Sequence, residues 1–173
     1  MKERPISLTV FGILNIGYAL WTVATMVIGK LVQHMNLPGN NAMAALKSNP
    51  SYMLWNQISY VAAAIFGIML IASGIGLLLT QNWARILAII YAALDMIFVV
   101  AGGIFSQLYI APMLMQQLHG GSNAIAEASV KIGFVIGLII GLTYPVLLLI
   151  FMTRPNVVEA CTSAEHPIEN PLP

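Results

Sequence analysis

Asp95 is the only aspartate in the chain, and no other charged residue lies within nine positions of it on either side. A carboxyl group in such a run can do one of two things. It can pass a proton or a cation, the default functional reading of an ionisable residue within lipid. It can also clamp helices together through a hydrogen bond, which contributes about 0.6 kcal/mol and at most about 1.7. With no Lys or Arg nearer than Arg85, about 15 Å away along one helix, an ionised carboxyl would cost roughly 2.5–3.5 kcal/mol at the bilayer centre. The expected species is therefore a neutral acid donating a hydrogen bond to Asn15 or to a backbone carbonyl.

Other chemistry is thinly represented. An aspartyl intramembrane protease needs a second aspartate, which the chain lacks. No His-Glu-x-x-His, Gly-x-Ser-x-Gly or phosphate-cradling glycine loop occurs, so no catalytic residue and no cofactor is expected. His34, Met113, Met115 and His119 are soft donors of the kind that suit Cu(I). Methionine more often fills irregular apolar gaps, and these residues are expected to pack the connections on the membrane surface, with no metal bound. Cys161 stands alone, which excludes an intramolecular disulfide; it lies close enough to Arg154 for acylation at the membrane, but the expectation is a chance cysteine of the tail.

The elements that must hold Asp95 follow from composition. The chain is 59% hydrophobic and only 8% charged over 173 residues, against about 25% charged in soluble domains. Water cannot be its main solvent. Net charge is +1, which offers no basic field for nucleic acid. Four runs reach the roughly 20 apolar residues that a bilayer crossing needs: residues 6–28, 58–80, 83–105 and 132–153. Barrel strands would be half as long and would alternate in polarity, so the fold class is all-α, an antiparallel bundle of four transmembrane helices.

Depth and spacing give Asp95 its neighbours. Counted at 1.5 Å per residue from the ends nearest the termini, Asp95 and Tyr18 lie about 18 Å deep, and Asn15 and Tyr144 about 14 Å. These four form the expected intramembrane polar cluster. Asp95 also follows Ala84, Ala88 and Ala92 on one helix face, which directs it inward. Small residues elsewhere predict close helix contacts: Gly133, Gly137 and Gly141 make a glycine zipper on the fourth span, and Gly67 and Gly74 share a face with Ala63 on the second. The spacing leaves open whether the zipper packs within one bundle or between two copies.

Arg4, Trp83, Arg85 and Arg154 suit interface anchors. With both termini cytoplasmic, four cations (Lys2, Arg4, Arg85, Arg154) lie inside and three (Lys30, Lys47, Lys131) outside, the sense of the positive-inside rule. Two outer connections remain, each with a short helical candidate, over residues 42–46 and 113–118, the second opened by Pro112. Residues 1–154 form the membrane domain, and 155–173, with four prolines and three glutamates, read as a mobile cytoplasmic tail.

Three stretches carry a resemblance: residues 4–15 (RPISLTVFGILN), the run from Gly74 to Leu79 leading to Trp83-Ala84-Arg85, and residues 144–149 (YPVLLL) before Arg154-Pro155. Across its four spans the chain resembles small bacterial four-helix inner-membrane proteins of uncharacterised function. The resemblance implies the same topology and a cytoplasmic N-terminus, and it brings no activity. The expectation is a non-enzymatic integral protein of the bacterial inner membrane, working by helix association as an accessory subunit or as a homo-oligomer. Its partners are lipid and other membrane chains. The alternative is a small proton- or cation-conducting oligomer built on Asp95.

Overall fold

The computed structural model describes residues 6–34, 48–113 and 124–165. Apart from Asn49 and the turns at 79–81 and 153–154, every described residue is helical, and no strand occurs among them. The helices are α1 (Ile6–His34), α2 (Pro50–Leu78), α3 (Asn82–Phe105), α4 (Ala124–Met152) and α5 (Pro155–Glu165). Four segments are long and apolar enough to cross a membrane: Leu8–Val32, Pro50–Leu78, Asn82–Met113 and Lys131–Met152. Their outer surfaces are oily. Ile13, Trp21, Ile68, Ile97 and Ile140 are all 60% exposed or more, an arrangement that lipid tolerates and water does not.

The expected spans fall largely within these helices, with corrections at the ends. α2 starts eight residues before Ile58 because Asn49 caps it: its Oδ1 accepts from the backbone N–H of Ser51 (2.9 Å) and of Tyr52 (3.3 Å), and Pro50 takes the first helical position, where a missing N–H costs nothing. α2 stops at Leu78, and Thr80 lies beyond it in a left-handed turn with φ 56°. Gln81 N–H reaches back to Gly76 O (2.9 Å) and Thr80 N–H to Leu77 O (3.1 Å), the paired bonds of a Schellman motif with threonine where glycine is usual.

Pro112 lies within described helix that is continuous with α3. The chain runs on from α3 through a wider-wound stretch, Ser106–Ile110, in which Ala111 N–H bonds to Ser106 O, five residues back, and helix continues to residue 113. Such a π-type turn shifts the register just before a proline that has no N–H to give. Residues 42–46 and 114–118 lie outside the described residues.

Residues 155–165 were expected to be part of a mobile tail and instead form α5. Pro155 sits at its first position, and the N–H groups of Val157 and Val158 bond to Arg154 O. Val157 and Cys161, one turn apart, are fully buried in the same core as Leu8, Ala84, Ala88 and Met152.

Contacts between the long helices follow the chain: α1 packs on α2, α2 on α3, and α3 on α4. Paired numbers run in opposite senses. Gly12 meets Leu78 and Gly74, and further along Gly29 approaches Tyr60. Gly76 meets Ala84, Phe66 meets Tyr91 and Phe98, and Trp55 meets Phe105. Phe11 packs on Phe151 and Tyr18 on Tyr144.

Packing is uneven along the helices. The fully buried side chains (Leu8, Asn15, Ala19, Leu70, Ser73, Leu77, Ala84, Ala88, Tyr91, Ala92, Pro145, Leu148 and Met152) all lie in the half nearest residues 6 and 153. That half is the closed end. Two grooves between helices open in the other half, one between α1 and α2 near Tyr60 and one between α3 and α4 near Gly133.

Candidate functional site

The site sits where the closed half gives way to the open one. Asn15, on the inward face of α1, is fully buried, and its carboxamide is satisfied at both ends. Nδ2 donates to Ser73 Oγ on α2 at 2.9 Å, and Oδ1 accepts from the Tyr144 hydroxyl on α4. Ser73 in turn donates to Leu70 O (3.1 Å) on its own helix. One side chain thus ties three helices together in a medium where an unpaired amide is costly. The Tyr144 ring also stacks on Tyr18 of α1, centroids 4.5 Å apart and planes 9° from parallel.

Asp95 occupies the inward face of α3 with Ala84, Ala88 and Ala92, each of them fully buried. The small alanines let α3 approach its neighbours, so the acid is turned away from lipid and only 9% exposed. Tyr91, one helical turn earlier and 1% exposed, comes within hydrogen-bonding reach of the carboxyl group. The hydroxyls of Tyr18 and Tyr144 lie within electrostatic range of the same carboxyl group. The expected bond from Asp95 to Asn15 is not formed, because Ser73 and Tyr144 already occupy the carboxamide. Asp95 Oδ2 is buried without a hydrogen-bond partner among the described residues.

The structure therefore brings Asp95, Asn15, Tyr18 and Tyr144 to one level and adds Ser73 and Tyr91. Both additions had signals in the sequence. Tyr91 precedes Asp95 by four residues, and Ser73 adjoins Gly74 on the small-residue face of α2.

The small residues divide in two. A Cβ on Gly74 would lie 2.8 Å from Ile16 Cγ1 and 2.9 Å from Gly12 O, so α1 and α2 touch backbone to backbone. Gly141 is approached by Val99, at 3.1 Å from a Cβ position. Gly133 and Gly137 are different: a Cβ at either would meet nothing within 4 Å, and the zipper does not close on another helix of the same chain at those positions. Gly67 is buried yet has the same open space beside it. Gly12, Gly76 and Gly103, which spacing did not single out, are close-contact positions.

Of the anchors, Trp83 is half-exposed, with its ring against Gly76, and Arg85 donates from Nε to Asn82 Oδ1 at 3.3 Å. The Arg154 guanidinium lies over the Phe151 ring, 4.4 Å from its centroid. Arg4, Met115 and His119 lie outside the described residues, as does the side chain of His34, and Met113 ends the described part of the third span. Among the described residues no group of three His, Cys, Asp or Glu side chains gathers to hold a metal. At the closed end, burial pushes the Cys161 thiol above its ordinary range, and the positive charge of Arg85 partly offsets that rise.

No family model matches the chain, and neither a curated protein nor a solved structure matches it.

Proposed function

We propose that this is a non-enzymatic integral membrane protein that works by lateral association of its helices, as a homo-oligomer or as an accessory subunit of a larger membrane complex. In this reading the four spans form one antiparallel bundle in a bacterial inner membrane, with both termini cytoplasmic. The opposite running of paired contacts supports the bundle. The observation that carries association is the unfilled face of α4. Gly133 and Gly137 border a groove of about 390 Å³ that also takes in Val99, Gly103, Ser106 and Gln107. A groove floored by glycine, with a serine and a glutamine in its wall, suits the close approach and interhelical hydrogen bonds by which helices associate in lipid.

The test is the mass of the tagged protein extracted in native nanodiscs, with whatever accompanies it. Association predicts a complex, and Gly137→Leu is expected to weaken it about tenfold, the equivalent of one lost interhelical contact. A lone bundle without companions in the native membrane overturns the reading.

A second reading, a proton- or cation-conducting oligomer, is favoured by the orphaned Oδ2 of Asp95. It requires a flux in proteoliposomes that Asp95→Asn abolishes. A flux unchanged by that substitution ends it.

A further inference from the structure

We propose that Asp95 is a proton-binding site open to one end of the bundle only, reached through a polar groove between α1 and α2 and sealed from the other end. The proposal goes beyond both readings above, because reversible protonation of one acid needs neither a flux nor a second chain.

Three observations converge on it. The first is the acid itself, nine-tenths buried with Oδ2 lacking a partner among the described residues. A carboxylate oxygen in that position is stabilised either by a proton or by a cation. A hard metal ion wants about six oxygen ligands, and among the described residues no two further His, Cys, Asp or Glu side chains join Asp95 to supply them. A proton needs only the oxygen it binds.

The second is a route. A groove of about 250 Å³ is lined by Thr22, Thr25 and Met26 of α1 and by Asn56, Ser59, Tyr60 and Ala63 of α2. Its threonine and serine donors are already in use: Thr22 donates to Tyr18 O (2.9 Å), Thr25 to Thr22 O (2.9 Å) and Ser59 to Trp55 O (2.8 Å). Those three hydroxyls therefore present oxygen lone pairs, which accept from water or hydronium, beside the polar side chains of Asn56 and Tyr60. Ser59, Ala63 and Gly67 follow each other at intervals of four along one face of α2, about 12 Å in length. Gly67 is the buried glycine with open space where a Cβ would stand. It adjoins Phe66, whose ring meets both Tyr91 and Phe98 edge-on, and Asp95 lies midway between those two on α3. The path from Ser59 to Gly67 thus descends to the level of the acid.

The third is the seal. Beyond Asp95 toward the closed end, the interior is filled by the Asn15–Ser73–Tyr144 bonds, the Phe11–Phe151 contact and the fully buried Leu8, Leu70, Leu77 and Leu148.

The proton exchange is simple. A hydronium ion, or a water passing its proton on, protonates Asp95 Oδ2, leaves water in the groove, and changes the acid from −1 to neutral. The groups facing Asp95 are Tyr18 from α1, Tyr91 from α3 and Tyr144 from α4. From α2 the nearest titratable group is Tyr60 in the groove wall, with Lys30 Nζ 5.1 Å from its ring centroid at the mouth. Arg85 and Cys161 lie in the sealed half.

Infrared difference spectroscopy of the full chain in lipid reads the acid directly. A carboxyl band that shifts on transfer to deuterated water and disappears in Asp95→Asn is expected. Gly67→Leu, which plugs the route, is expected to slow that shift at least tenfold, and Ala63→Leu supplies a second plug should the first variant not fold. Access is read separately with single cysteines in a Cys161→Ser background and a membrane-impermeant thiosulfonate. Ser59→Cys and Ala63→Cys are expected to react from the side on which Ser51→Cys reacts, and Ala88→Cys from neither side. No Asp95 band in any state, an exchange rate that neither plug alters, or labelling of Ala88→Cys from the terminal side would each overturn the proposal. Loss of association with the band and its one-sided exchange intact would overturn only the reading of the preceding subsection.

Discussion

The hydroxyl of Tyr144 on α4 donates to the carboxamide oxygen of Asn15 on α1, 129 positions earlier in the chain. The same carboxamide donates to Ser73 on α2, so the first and last spans are joined through one residue that also holds the second. Asn15→Ala is expected to lower stability by about 1–2 kcal/mol, near the upper end for membrane hydrogen bonds, because it strips two partners at once. Combined with Tyr144→Phe, the losses should be less than additive by about 0.6 kcal/mol or more. Unfolding titrations in mixed micelles check both numbers, and strict additivity would show that the two side chains act independently.

Gly74 and Gly133 should answer the same substitution in opposite ways. Gly74→Ala drives a methyl into Ile16 and the carbonyl of Gly12, and a cost of about 1–3 kcal/mol is expected from overpacking. Gly133→Ala meets nothing and should gain about 0.5–1 kcal/mol of helix propensity. The folded fraction of each variant across a denaturant series distinguishes them. A Gly133→Ala variant that loses stability as a dispersed single chain would mean that α4 packs against something within its own bundle.

Thr80 holds φ at 56° in the turn between α2 and α3. A β-branched residue is strained there, at a cost of about 1–2 kcal/mol, and its Oγ1 bond to Leu79 O (2.7 Å) recovers only part of that. Thr80→Gly is expected to raise the thermal midpoint, equivalent to a gain of about 1 kcal/mol. A lowered midpoint would show that the hydroxyl contact outweighs the strain.

The Cys161 thiol is buried and its pKa is raised. Less thiolate is then present at any given pH, so alkylation of the folded protein should be slow at neutral pH and should accelerate only above the ordinary thiol range. Arg85→Gln removes the charge that favours the thiolate, and the curve should move to still higher pH. Rate against pH for folded and detergent-unfolded protein is the measurement, and superimposed curves would contradict the burial.

The spans were legible because nothing but length and apolarity decides them, and Asp95 facing inward followed from its register with Ala88 and Ala92. The use of Asn15 was not. Spacing placed it at the right depth, but only the positions of Ser73 and Tyr144 on other helices determine which polar groups reach it. The glycines show the same limit: Gly74 and Gly133 look alike in sequence, and what lies opposite each one separates a backbone contact from an empty groove. α5 was obscured by the prolines and glutamates around it, although Val157 and Cys161 at a spacing of four carry a helical face.

Val157 and Cys161 fill the bottom of a core whose other members sit in lipid-spanning rods. They are the last of its pieces to leave the ribosome, after the fourth rod has been threaded. This core is therefore complete only once a short helix following the fourth membrane-length one has folded back as a cap, and a chain cut just after Arg154 would lack its floor.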